Sequence, residues 1–212
     1  MQVYNFEQRM PEWYAIRQGK ITASDIISIL GKETHAKTQQ SIDNMALELA
    51  IESVHGAIED GYVNYDMQRG IDLEPYAFES LKEKLQLEFI ELTKVGFIEY
   101  DSNIGCSPDG YVKGQLVAEI KAPTPKNFFK LALKKEIDEK HIAQMQHQMF
   151  CSEVDNCYYY AYCIHNGIPY AFLQIVNRDE SMINLIKERC TIVTEKKYKY
   201  IELLTKENLQ IK

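Results

Sequence analysis

Apolar positions recur along this chain with two periods, and each change of period marks an element. Between residues 116 and 121 the period is two. Leu116, Ala118 and Ile120 line one face of a strand, and Val117, Glu119 and Lys121 line the other. The strand is prepared by Ser107-Pro108-Asp109-Gly110, a turn with Pro at its first central position, and by a second reversal at Lys113-Gly114. Pro123 and Pro125 end it. Residues 94–100 and 103–106 read as strands leading into this stretch. Residues 156–164 (NCYYYAYCI) and 169–176 (PYAFLQIV) are two further strands, joined through Asn166-Gly167 as a hairpin.

Elsewhere the period is helical. Ile42, Met45, Leu49 and Ile51 predict a helix over 41–54, and Phe78, Leu81 and Leu85 one within 67–89. Residues 126–136 form a helix with Phe128, Leu131 and Leu133 as core and Lys126, Lys130, Lys134 and Lys135 on a solvated face. Over 141–150 the helix has two faces: Ile142, Met145 and Met149 on one, His141, Gln144 and Gln148 on the other, with the histidines expected at the surface. The chain is helical again from 179 onward. Near the start, Trp13 and Ile16 pack inward from a short helix ended by Gly19, and Ser24 caps a helix over 25–30. Residues 31–40 read as a loop, and 55–65 as a connection containing Gly56 and Gly61. Strands interleaved with helices, with no repeat or linker, predict one α/β (α+β mixed) domain over residues 1–212, with a central mixed sheet flanked by helices.

Composition narrows the class. At 212 residues, 45% hydrophobic and 26% charged, the chain is that of a soluble globular protein with a full core. No run approaches a membrane span, and the first residues lack a signal-peptide pattern. The five cysteines are dispersed without a CxxC pair, which argues against zinc or iron–sulfur and for free thiols in a reducing cytoplasm. A net charge of −7 weighs mildly against a nucleic-acid ligand, although charge inside a cleft matters more than the sum.

The candidate chemistry sits in the central strand. Glu119 and Lys121 share a face beside Asp109, and two carboxylates held together repel unless they share a divalent cation. Oxygen ligands suit Mg2+ or Mn2+ rather than Zn2+. The plainer alternative is a surface hairpin carrying a Glu–Lys pair. Glu74, four residues before Phe78, falls on the apolar side of its helix, or at the helix start if Pro75 is the first helical residue; there it would only cap and favour the dipole. Arg17, Thr22 and Ser24 converge near a helix N-terminus as a phosphate receptor, or else are a plain cap and a surface arginine. Gln144 and Gln148 are placed to hydrogen-bond water or phosphate. Lys32, His35 and Lys37 read as part of a solvated loop, with contact to a phosphate backbone as the alternative.

Taken in order, the blocks WYAIRQGKITAS, RGIDLEPYAFE, SPDG, EIKAP and AQMQHQM resemble the lambda-type exonuclease family of phage recombination nucleases, the YqaJ-like viral recombinases of the PD-(D/E)xK nuclease superfamily. The likeness spans roughly residues 11 to 176. It implies a restriction-endonuclease-like core in which Asp109, Glu119, the Ile120 carbonyl and Glu74 hold Mg2+ (Mn2+ as substitute), one or two ions per site. Lys121 resembles the family's catalytic lysine, and Gln144 the first Gln of its AQxQ helix. Arg17, Ser24 and Ser107 match the residues that hold the 5′-phosphate of a DNA end. The chain departs from the pattern at Arg69-Gly70, where the family member compared has Trp-Gly.

The resemblance further implies 5′→3′ degradation of one strand of double-stranded DNA, leaving 3′ tails. It also implies a toroidal homotrimer, a single-strand annealing partner and a cytoplasmic setting in a bacterial host. The residues themselves reach only a metal-dependent phosphodiesterase. A sequence-specific or repair endonuclease on the same core is the alternative enzyme, and a DNA-end adaptor without catalysis is the non-enzymatic one. A Cas4-type nuclease would need a cysteine cluster that the chain lacks.

Overall fold

The computed structural model describes residues 1–32, 34–56 and 65–206. Most of the expected 55–65 connection therefore lies outside the described residues. Two sheets form. Strands β1 (Gln2–Tyr4), β2 (Phe97–Glu99) and β3 (Gly105–Cys106) make a small antiparallel sheet in that order. Strands β4 (Gly110–Val112), β5 (Leu116–Lys121), β6 (Asn156–His165) and β7 (Ile168–Asn177) make the main sheet. Its β4–β5 and β6–β7 pairs are antiparallel and its β5–β6 pair is parallel, so the expected mixed sheet flanked by helices is the one found.

The parallel pair dictates what covers the site. Parallel neighbours need a long crossover, here α4 (Pro125–Lys134) and α5 (Glu139–Ser152). The face of β5 carrying Val117 packs into a core with Met145 and Met149 of α5, Tyr159 of β6, and Ile183 and Ile186 of the C-terminal helix α6 (Glu180–Lys206). The opposite face, with Leu116, Ala118 and Ile120, packs under Ala77, Phe78, Leu81 and Leu85 of α3 (Tyr65–Gln86). Period-two alternation thus puts Glu119 on the α5 side, where it is 1% exposed. The β6–β7 turn has Asn166 and Gly167 at φ 51° and 75°, the left-handed pair that a two-residue hairpin demands.

Several expectations need correction. Pro75 does not start α3 but lies inside it; the helix begins ten residues earlier, and the backbone bond that Pro75 cannot donate is simply lost. Helix α2 runs Ala36–His55, so the predicted 31–40 loop is helical from its midpoint. The short helix α1 is Pro11–Arg17 and buries no residue completely. A 3-10 segment, Ala23–Ile29, replaces the helix expected over 25–30. Its cap position is Thr22, and no side chain makes a capping bond there, so Ser24 is not the cap. Strands β2 and β3 are shorter than the runs 94–100 and 103–106. In α4, Phe128 is buried but Leu133 is 85% exposed, since five residues turn it about 140° around the helix. His147 is fully buried instead of at the surface, because α5 is packed on nearly every side and the ring Nε2–H donates to Gly105 O at 3.1 Å. All five cysteines are free and buried. Among the described residues, no helix is long and apolar enough to cross a membrane.

Candidate active site

Asp109 precedes β4 and extends its ladder: its N–H donates to Ala118 O at 3.0 Å. One carboxylate oxygen, Oδ2, accepts from the Ile120 N–H at 2.6 Å, which fastens the side chain to the end of β5. The register Gly110↔Ala118 therefore brings Asp109 beside Glu119 by local hairpin geometry. Glu119 gives one oxygen to each of two partners: Oε1 pairs with the Lys121 ammonium, and Oε2 accepts from Gln148 Nε2 at 2.6 Å. The apolar side chain of Ile120 is turned to the α3 core, and Lys121 is partly exposed.

The electrostatics follow. Asp109 keeps some exposed surface, yet the protein packed around it strips solvent, and this desolvation raises its pKa well above the usual carboxylate range. The charge of Glu119 adds to the rise, as does that of Glu74; Lys121 and the Ile120 N–H oppose it. For Lys121, burial alone would depress the ammonium, but Glu119 and then Asp109 outweigh it and raise the pKa. This is a compact anionic site with its own internal cation.

Glu74 reaches the site's field from α3 but is held by Arg9 in an ion pair. Arg69, on the same helix, donates through Nη2 to Ala122 O at 2.7 Å, one residue past Lys121. That bond ties α3 to the end of β5 and gives Arg69 a place in the architecture. Gln144 is half-buried on α5, one turn before Gln148, and its side chain makes no hydrogen bond to another described residue.

The residues expected to receive a phosphate form a cluster next door. Arg17 stacks over the Trp13 ring at 4.1 Å and donates from Nη1 to Ser107 Oγ at 3.2 Å and from Nη2 to Thr22 Oγ1 at 3.4 Å. Trp13 Nε1 donates to the same Ser107 Oγ at 2.9 Å. Ser24 joins through Thr22, their hydroxyls 3.4 Å apart, and donates to Asp25 Oδ2. Ser107 is two residues from Asp109, so the two clusters adjoin.

Other neighbours were not singled out from the sequence. Tyr159 sits opposite Glu119 in the β5–β6 register, and its hydroxyl is 3.3 Å from His141 Nδ1. Burial, then the Lys121 and Lys140 charges, hold His141 down to about 4. Burial pushes Tyr159 up to about 12. The alternation in NCYYYAYCI was the available signal for Tyr159. Gln8, which donates to Val95 O and Pro108 O, and Arg9 had none.

The donor set can be tested against a divalent cation. Among the described residues, no three His, Cys, Asp or Glu side chains gather closely enough to hold a metal. Mg2+ asks for fewer protein ligands, because it is bound through one or two carboxylates and keeps several waters. Asp109 and Glu119 supply two carboxylates side by side on the β4–β5 hairpin, and Gln148 Oε1 is a buried acceptor without a partner beside them. The residues present fit such an ion.

Known proteins resemble this chain in fold and in sequence. An alkaline exonuclease, LHK-Exo from Laribacter hongkongensis, superposes with a TM-score of 0.79 at 28% identity, covering 93% of this chain and 97% of its own. The same enzyme in complex with dAMP gives 0.77 at 28% identity over the same shares. A phage-related exonuclease from Haemophilus somnus 129PT shares the fold at TM-score 0.62 and 19% identity, over 88% of this chain and 96% of its own. Comparison with curated proteins yields no match. Residues 12–155 match the YqaJ-like viral recombinase domain, a span that holds Arg17, Ser24, Glu74, Asp109, Glu119, Lys121 and Gln148 together, and by that match this chain belongs to the YqaJ-like viral recombinase family.

Proposed function

We propose that this chain is a divalent-cation-dependent exonuclease that degrades one strand of linear double-stranded DNA in the 5′→3′ direction. The remaining 3′ tails would serve recombination by strand annealing. Its family makes it a nuclease acting on DNA. The observation that carries the finer reading is the convergence of Asp109, Glu119 and Lys121 immediately beside the Arg17–Ser107 cluster.

In this reading Asp109, Glu119, the Ile120 carbonyl and, once released from Arg9, Glu74 hold Mg2+ or Mn2+. A bound ion supplies Lewis acidity and lowers the pKa of water. Lys121 orients or deprotonates the attacking water and stabilises developing phosphoryl charge through its ammonium form. Gln144 hydrogen-bonds water or phosphate from the α5 side. Arg17, Ser24 and Ser107 receive a terminal 5′-phosphate, which sets the register and polarity of the strand. The whole chain acts as one nuclease domain, assembles as a ring-shaped homotrimer, works in a bacterial cytoplasm and hands its product to an annealing protein.

Linear duplex labelled at either end, incubated with Mg2+, tests the polarity. Release of the 5′ label first is expected. Release of the 3′ label first, or cutting of closed circular DNA, would replace the proposal with another nuclease activity. Arg17→Ala is expected to erase the preference for 5′-phosphorylated over 5′-hydroxyl ends, because removing a charge-assisted donor to phosphate costs on the order of 1.5–3 kcal/mol, about tenfold to a hundredfold in that ratio. An unchanged ratio in initial-rate assays counts against the pocket.

A further inference from the structure

Gln148 is fully buried on α5, where the other buried polar side chains that precede it, Gln146 and His147, are held by the backbone at Asn177 and Gly105, whereas Gln148 bonds a carboxylate of the candidate site. A Met or Leu would fill this volume without burying an amide. The orientation of the amide is fixed by chemistry: Nε2 faces Glu119 Oε2 at 2.6 Å, and the flipped amide would set two acceptors against each other. Oε1 is left buried with no hydrogen-bond partner. A buried polar atom without a partner is costly, so the amide is retained for what its other end does.

We infer that Gln148 is a positioning residue that sets how Glu119 meets a divalent cation. This rests on the metal reading given above. By donating to Oε2, Gln148 takes up one lone pair of that oxygen and fixes the carboxylate plane, which biases Glu119 to meet a cation through Oε1, on the side of Lys121. Lys121 and Asp109 both act electrostatically there. A carboxylate biased toward one oxygen suits the octahedral demands of Mg2+ and Mn2+. It disfavours Ca2+, which readily takes both oxygens of one carboxylate and a larger ligand set. Gln148 therefore acts on affinity and on selectivity at once.

The test compares wild type, Gln148→Met and Asp109→Asn in Mn2+ titrations followed by electron paramagnetic resonance and in Ca2+ titrations by calorimetry, without DNA. Gln148→Met preserves volume and removes only the amide. It is expected to weaken Mn2+ binding about 10–100-fold, the usual effect of losing a hydrogen bond to a metal ligand, and to shift the Ca2+/Mn2+ affinity ratio toward Ca2+. Wild type that binds no Mn2+ overturns the metal reading itself. Wild type that binds Mn2+ while Gln148→Met matches it in affinity and in ratio overturns the role of Gln148 alone. A second measurement does not depend on the variant folding. In 15N-labelled wild type, the Gln148 side-chain amide is expected to stay protected from exchange on saturation with Mg2+; an amide that becomes freely exchanging overturns the inference.

Discussion

Asp109→Asn is expected to abolish Mg2+-dependent digestion of linear duplex DNA while leaving the metal-free protein at least as stable as wild type above neutral pH. The first half follows from charge. A metal-bound phosphoryl group gains several kcal/mol of stabilisation in the transition state. Losing it is a fall of about 10³-fold or more at 1.36 kcal/mol per decade. The second half follows from the raised Asp109 carboxyl. Desolvation and then Glu119 raise it, so the folded protein holds its proton more tightly than the unfolded chain does. The stability linked to that proton is fully present below the ordinary carboxylate pKa of about 3.9 and is lost as pH rises through the raised value. Above it, an ionised Asp109 beside Glu119 costs stability. Asn carries no charge at any pH, and its Oδ1 still accepts from the Ile120 N–H. Thermal midpoints in EDTA across pH should therefore be flatter for the variant, and Mn2+ binding should be lost. Retained digestion would remove Asp109 from the site. Parallel pH profiles would remove the electrostatic account.

The parts of the site legible in the sequence are those set by local geometry. Asp109, Glu119 and Lys121 come together through one tight hairpin, β4–β5, whose turn and alternation are written within fifteen residues. The β6–β7 hairpin was legible for the same reason. Arg17 and Ser107 meet across ninety residues, and Arg9 and Glu74 across sixty-five; no period or turn signal encodes such a meeting, and only the family resemblance linked the first pair. Gln148 shows another limit. Periodicity put it on one face of α5 with Gln144 and His141, but α5 is buried almost all round, so periodicity does not say which glutamine touches Glu119. Packing against β5 chose Gln148. His147 and Pro75 were misread for kindred reasons: a buried backbone carbonyl satisfied the one, and α3 packing against the sheet carried the helix through the other.

Lys121→Met separates two consequences that a loss of activity alone would merge. The ammonium lies on Glu119, the carboxylate that the proposed cation would use, and is itself favoured by Glu119 and Asp109. Ammonium and divalent cation therefore compete for the same negative field, and binding the ion must loosen the Lys121–Glu119 pair. That release is what would leave Lys121 available for the attacking water. Met keeps the length of the side chain and removes the charge. Cleavage should fall by about 10²–10⁴-fold, the scale of a lost proton-transfer group. Mn2+ binding, measured without DNA, should instead tighten, by about tenfold even after allowing for solvent screening of a side chain that is 30% exposed. Opposite signs in the two measurements are the signature of a cation built into the site as both competitor and catalyst. If Mn2+ binding weakens together with cleavage, the ammonium is a structural support for the carboxylates, and the attacking water must be activated by another group.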